Sequence, residues 1–349
     1  VVLSAKALSN NQEAMSQLMC DTLMNIQFDD GDRIKELISQ AKSNREQSIT
    51  ANGHSYAMQA AAANLNTVST AVQKLMGLES IKDMKHFHHE AQNNDSKALI
   101  KTLKAIHQKV LQTKKELLLI SEAQVIEQQL PVIERVCAPL LSENTTSASL
   151  TLAPANKEKI QQAWITNSQV HFCSKVYPTV TMNHPDAPAL SVLGGVLRNG
   201  FLHRTIREQG GAYGGGASQD SNSASFRFYS YRDPRMAETL NDFDRSIEWL
   251  LEKNITDLQI EESILSVIGS MDKPGSPAGE AKQAFHAGLA GRSDEYRNLF
   301  RERIINVTAE DLYRVTEQYL QADKANTAVV TGNHGKDEAE SLGLEIVHL

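Results

Sequence analysis

The order of helical and strand-like patterns predicts a mixed protein, α+β or α/β, built from two domains. Three features support this. The chain has 349 residues, which exceeds one ordinary domain of roughly 100–200 residues. Stretches of helical periodicity are interspersed with short apolar runs of strand length. A small polar segment, SENTTSAS at 142–149, separates two halves that are otherwise periodic. The domains are therefore expected at 1–142 and 156–349, with a linker at 143–155.

In the first half, Met15, Leu18, Met19, Leu23 and Ile26 recur at helical spacing behind Asn10 and Asn11 as candidate caps. Asp29, Asp30, Gly31 and Asp32 interrupt the pattern, and Ile34, Leu37 and Ile38 resume it as a second helix with acidic residues at its positive end. Residues 54–77 are rich in Ala, Met, Gln and Leu, which are good helix formers, and a further helix is expected over 96–115. The run Glu116-Leu117-Leu118-Leu119-Ile120 reads as a short buried strand, and 125–141 as a helix around Pro131.

In the second half, 169–177 alternates like a strand. Asp186 is placed to cap a helix whose first turn holds Pro188 and whose apolar face is Leu190, Leu193, Val196 and Leu197. Residues 223–231, with Phe226 and Phe228 on one side, form another strand that Asp233-Pro234 stops. Helices are expected over 236–253, 257–271, 281–290, 294–305 and 309–320, and a final core strand over 327–331.

Composition excludes several classes of function. Hydrophobic residues make up 41% and charged residues 22%, with a net charge of −7. The basic footprint of a nucleic-acid binder is missing. The longest uncharged apolar runs fall short of the roughly 18 residues that mark a membrane span. Cys20, Cys137 and Cys173 contain no CxxC pair and suit free thiols in a reducing compartment, the cytoplasm ahead of an organelle matrix. The opening Val1-Val2-Leu3-Ser4 has no initiator Met and resembles the end of a strand, so the chain reads as an excised piece.

Two clusters invite a chemical reading. His86-Phe87-His88-His89-Glu90 contains common zinc ligands, but its order is H-x-x-H-E. Zinc peptidases use H-E-x-x-H or H-x-x-E-H, which set two histidines on one helical face beside a general-base glutamate. An exposed, His-rich helix end is the simpler reading. The second cluster runs from Arg207 to Gly216 and contains Gly210, Gly211, Gly214, Gly215 and Gly216. It lacks both phosphate-binding glycine patterns and follows a helix instead of opening one. Either Gly210 or Gly211 is a left-handed helix cap with Tyr213 packed at a strand start, or the loop touches a peptide with Arg207 and Tyr213 as donors. Residue chemistry alone leaves both open.

The run HPDAPALSVLGGVLRNGFLHRTIREQGGAYGGGAS (184–218), with SFRFYSYRDPR (225–235), closely resembles the C-terminal half of presequence-protease-like zinc metallopeptidases of the pitrilysin/insulinase group. FDDGDRIKELISQ (28–40) and GHSYAMQAAAA (53–63) resemble the domain before it, so the likeness spans nearly the whole chain. The resemblance implies an α+β fold of two metallopeptidase-type domains, each a mainly antiparallel sheet packed with helices. These would be the third and fourth domains of a four-domain clamshell that hydrolyses short unstructured peptides. It further implies that Arg207 and Tyr213 are the catalytic Arg/Tyr pair and that Gly210, Gly211 and Gly214 form the substrate-binding loop. Zinc would be held by the N-terminal half of the full-length polypeptide. This chain alone would hold no metal and be inactive. Peptides and that N-terminal half are the implied partners. A non-catalytic scaffold or peptide-binding subunit of the same superfamily is the alternative.

Overall fold

The computed structural model describes residues 1–140, 155 and 158–349, so the expected linker at 143–155 falls outside the described residues apart from Ala155. In chain order the elements are α1 (Gln12–Met24), α2 (Gly31–Ala62), α3 (Thr67–Met76), α4 (Leu78–Asn93), α5 (Ser96–Gln112), α6 (Ala123–Cys137), β1 (Gln161–Thr166) and β2 (Phe172–Pro178). Next come α7 (Ala187–Leu197), a π-helix (Arg198–Gln209), β3 (Gly214–Asp220), β4 (Ser225–Tyr231), α8 (Ala237–Leu251), α9 (Asp257–Met271), α10 (Pro277–Leu289), α11 (Asp294–Ile305) and α12 (Ala309–Tyr319). The last are β5 (Asn326–Gly332), α13 (Lys336–Ser341) and β6 (Glu345–His348).

The chain divides into two compact units that do not follow its linear order. One gathers Val1–Ala41, Phe87–Thr151 and Pro274–Ser293; the other gathers Lys42–His86, Leu152–Lys273 and Asp294–Leu349. Among its described residues the first unit is helical. In it α1 packs on α6 around Cys20, Ile133 and Cys137, with Leu119, Val136 and Leu140 against them. Asp95 caps α5 by accepting from the Lys97 N–H, and Ser276 caps α10 by accepting from the Gly279 N–H.

The second unit holds one six-stranded sheet of order β3-β4-β2-β5-β1-β6. The pairs β3–β4, β4–β2 and β2–β5 are antiparallel, whereas β5–β1 and β1–β6 are parallel. Side chains alternate between its two faces, as strand geometry requires. Cys173, Tyr177, Phe226, Phe228 and Val329 join a core with α7, α8, α9, α11 and α12. Phe172, Val176, Trp164, Ala328 and Val330 face the opposite way, onto Ile49, Ala57, Ala60, Ala61 and Ala62 of α2 and onto Leu78 and Ile81 of α4. The run of small alanines lets the α2 backbone lie close to the strands.

The α+β class is met, by one open mixed sheet. The second sheet expected in the first half is not present among the described residues. Residues 114–120 form neither helix nor strand, and Leu117 and Leu118 are 47% and 36% exposed. An apolar run is a strand only where a neighbour takes up its backbone groups, and this one has none among the described residues. Val1 to Leu8 is likewise irregular and exposed. The helices expected over 34–38 and 54–77 prove to be α2, bent at Asn52 (φ −124°, ψ 19°), followed by α3.

Candidate functional site

Nine of the eleven residues of α7 are buried, which fixes the helix leading to the glycine-rich loop. Asp186 occupies the N-cap position but makes no capping hydrogen bond, contrary to expectation. Its carboxylate instead accepts from the Tyr319 hydroxyl at 2.7 Å and pairs with Arg314 at 2.8 Å, because those stronger donors from α12 reach it first. Gly194 is needed because a Cβ there would stand 2.9 Å from the Ala217 carbonyl of β3.

Beyond Leu197 the backbone widens into a twelve-residue π-helix. Such turns are rare and are frequent at functional sites. Leu202 and Ile206 are its buried residues, while Arg207, Glu208 and Gln209 face solvent. The helix closes when the N–H groups of Gly211 and Ala212 return to the carbonyls of Arg207 and Ile206, both at 3.1 Å. Gly211 takes φ +80°, so it is the left-handed cap. Gly210 has a different role. It stays right-handed, and a Cβ on it would lie 1.9 Å from the Arg235 guanidinium.

Gly214 opens β3, with nothing within 4 Å of where its Cβ would be. Gly215 meets Ile206 of the π-helix at 2.9 Å, so its missing side chain lets helix and strand close on each other. Among the described residues β3 pairs only with β4 and forms one edge of the sheet. Tyr213 immediately precedes it and is 70% exposed. The edge of its ring meets Tyr231 at 5.6 Å and 79°. The Arg207 guanidinium is also exposed and has no hydrogen-bond or ion-pair partner among the described residues.

A buried polar frame supports the loop from below. Arg235 donates to the Thr205 carbonyl of the π-helix at 3.3 Å and pairs with Asp242 at 3.2 Å, and Asp242 also binds Arg245 at 3.1 Å. Asp233 is fully buried and accepts from the Arg235 N–H at 3.0 Å and the Thr239 hydroxyl at 2.8 Å. Burial raises its carboxyl above the usual carboxylate value, against the opposing effect of those hydrogen bonds. The motif reading missed Arg235, Asp233 and Asp242 as supports. Their signal was the charged Arg232-Asp233-Pro234-Arg235 break after an apolar strand.

Arg207, Gly210, Gly211, Tyr213 and Gly214 thus lie on one short turn that offers two unspent donors and accessible backbone. No group of three or more His, Cys, Asp or Glu side chains among the described residues is arranged to hold a metal ion. The histidine cluster is spread along α4, where His88 bonds Ser39 at 3.1 Å and His89 bonds Asn93 at 3.1 Å. No described helix is long and apolar enough to cross a membrane. A cavity of about 280 Å³, lined in part by Glu46, Lys85, Thr166, Asn333 and His348, contains none of the residues singled out from the sequence.

Comparison with known proteins identifies the family of this chain. Residues 163–332 match the family described as the PreP C-terminal domain, and residues 1–87 match the associated family of M16 peptidases, subfamily C. A mitochondrial presequence protease of Drosophila melanogaster is 32% identical over 323 residues, covering 92% of this chain and 30% of that protein. Its Kluyveromyces lactis counterpart is 31% identical over 319 residues, covering 86% and 31%. The chain therefore spans about a third of the length of these relatives. Among solved structures, pitrilysin superposes with a TM-score of 0.63 at 13% identity, covering 92% of this chain and 33% of that one. A peptidase M16 inactive domain from Pseudomonas fluorescens does so with 0.57 at 15%, covering 93% and 76%. These two share the fold. The chain belongs to the presequence-protease family of M16 peptidases, matching its C-terminal domain and the peptidase-associated region before it.

Proposed function

We propose that this chain is the non-zinc part of a zinc-dependent peptidase for short unstructured peptides, and that it binds substrate backbone and stabilises the oxyanion. The observation that carries the reading is the pairing of Arg207 and Tyr213. Both are exposed, on a turn that a buried frame holds rigid, and the polar head of neither is used internally among the described residues. Donors fixed in advance and left unsatisfied suit charge that develops only during reaction.

Within the proposal Arg207 donates to a substrate carbonyl and Tyr213 donates its hydroxyl to the tetrahedral oxygen. Each such donor contributes about 2.7–4 kcal/mol to the transition state, by comparison with oxyanion-hole deletions. The exposed turn at Gly211 and the open Gly214 let an extended peptide approach the backbone. The described residues of this chain do not fit a zinc site, so the metal and its general base are assigned to the remainder of a longer polypeptide, which is the proposed partner. The three cysteines are free and buried. A reducing compartment suits them, whether cytoplasm or organelle matrix, and the relatives named above are mitochondrial proteins.

The test is steady-state cleavage of an unstructured peptide by the full-length enzyme with Arg207→Ala or Tyr213→Phe, alongside zinc content per chain. Turnover is expected to fall about a hundredfold or more with zinc content unchanged. Unchanged kinetics in both variants would favour the scaffold alternative and overturn the assignment.

A further inference from the structure

The motif GHSYAMQAAAA (53–63) is not used by the peptide-binding reading, and Tyr213 has one aromatic neighbour among the described residues to hold its ring. The two observations meet at Tyr231. Tyr231 ends β4 on the sheet face that packs against α2. Its ring lies 5.6 Å from Tyr213 at 79°, 4.9 Å from His54 at 76°, and 5.8 Å from Phe172. From the chain's next residue, the Arg232 guanidinium sits 5.4 Å over the same ring, and Arg232 takes φ +50°, a left-handed conformation that costs a non-glycine residue energy.

Gly53 makes this packing geometrically feasible. A Cβ at that position would stand 2.3 Å from the Phe172 ring, so only glycine lets α2 come down onto β2. The approach follows the bend at Asn52 and carries His54 under Tyr231 and within 5.7 Å of Tyr229. The His54 Nδ1 is buried without a hydrogen-bond partner among the described residues, an arrangement that costs stability and is retained here beside the ring it supports.

We infer that Tyr231 is a positioning residue for Tyr213, braced from behind by His54, and that the Gly53-His54 pair of the peptidase-associated region is there to complete this brace. The inference rests on the role proposed for Tyr213. A tyrosine that is 70% exposed has few neighbours to set its rotamer, and the edge-to-face contact with Tyr231 supplies that restraint. Misplacing a donor by about 1 Å costs up to roughly a hundredfold in rate.

In the full-length enzyme acting on an unstructured fluorogenic peptide, Tyr231→Leu is expected to lower kcat at least about tenfold with KM within about twofold. Tyr231→Phe, which keeps the ring, should restore kcat to within about twofold of the parent, and His54→Ala should fall between the two. In a Tyr213→Ala background Tyr231→Leu should have no further effect, because a residue acting through Tyr213 has nothing left to position. A near-parental kcat for Tyr231→Leu, a Tyr231→Phe enzyme as impaired as Tyr231→Leu, or full additivity with Tyr213→Ala overturns the brace. If Tyr231→Leu fails to fold, His54→Ala decides alone, and a parental kcat there is the negative result. Parallel Tyr213→Phe and Arg207→Ala measurements separate the two levels. Unchanged kinetics in both removes the role of the loop itself, whereas their loss beside a normal Tyr231→Leu removes only the brace.

Discussion

The helical unit and the sheet unit differ most in what they bury. The described core of the helical unit is Cys20, Ile133 and Cys137 with three partly buried neighbours. The sheet unit closes on both faces and fully buries Tyr177, Phe172, Phe226, Phe228 and Phe243. Large rings bring both apolar area and fixed geometry. The turn bearing Arg207 and Tyr213 belongs to the sheet unit, the one with the large aromatic core. The comparison teaches that the site proposed above lies on the unit with the larger packed core.

The comparison is most readily broken at Phe228, which contacts Tyr177 at 5.9 Å, Phe226 at 5.4 Å and Phe243 at 5.5 Å. Phe228→Ala is expected to cost about 3–5 kcal/mol in denaturant unfolding of this chain, since it removes a ring from a filled core. Leu18→Ala in α1, at a position 68% exposed, should change stability by less than about 0.5 kcal/mol. A loss at Leu18 comparable to that at Phe228 would show that α1 buries more than its small core with α6.

A second, smaller effect belongs to acid conditions. His171 is buried, its Nδ1 lies 2.7 Å from the Thr331 hydroxyl, and its ring is 4.9 Å from His334. Burial first, and then the neighbouring His334, hold its pKa below the ordinary 6.5, with Glu338 pulling the other way. His54 is lowered by burial as well. Because the folded state prefers the neutral ring, this contribution is complete above 6.5 and is lost as pH falls through the lower folded value. The unfolding midpoint should therefore drop between about pH 7 and pH 5, and His171→Gln should flatten that drop. An identical slope in the variant would remove His171 as the cause.

Much of the sheet unit was legible because its signals are local. Alternation marked β2 and β4, Gly332 marked the end of β5, and the GG pair after an apolar helix marked the turn at Gly211. What stayed hidden depends on distant partners. The three glycines of β3 lack the side-chain pattern of a strand and become one only by pairing with β4, and β6 forms only by lying against β1. The leucine run 117–119 carries a strand's composition without a neighbour to pair with among the described residues, and so it stays irregular. Of the site, Arg207, Tyr213 and the cap glycine could be named from the motif. Asp233 and Arg235 left only the charged break after β4 as a signal, and the contact of Arg235 with the Thr205 carbonyl, thirty residues away, could not be read from it.

The smallest effect tests the helical unit on its own surface. Arg135 of α6 pairs with Glu13 of α1 at 2.7 Å, and both side chains are more than half exposed. In water the attraction between such charges is mostly cancelled by solvation and by the entropy of holding two long side chains still. Glu13→Gln should therefore cost no more than about 0.5 kcal/mol, and even that difference should vanish at about 1 M salt. A larger, salt-resistant loss would mean that α1 and α6 are joined by more than their three-residue core, and the contrast with the sheet unit would have to be redrawn around this ion pair. A negligible loss places the stability of the α1–α6 contact in Cys20, Ile133 and Cys137, a core much smaller than the one Phe228 and its neighbours build in the other unit.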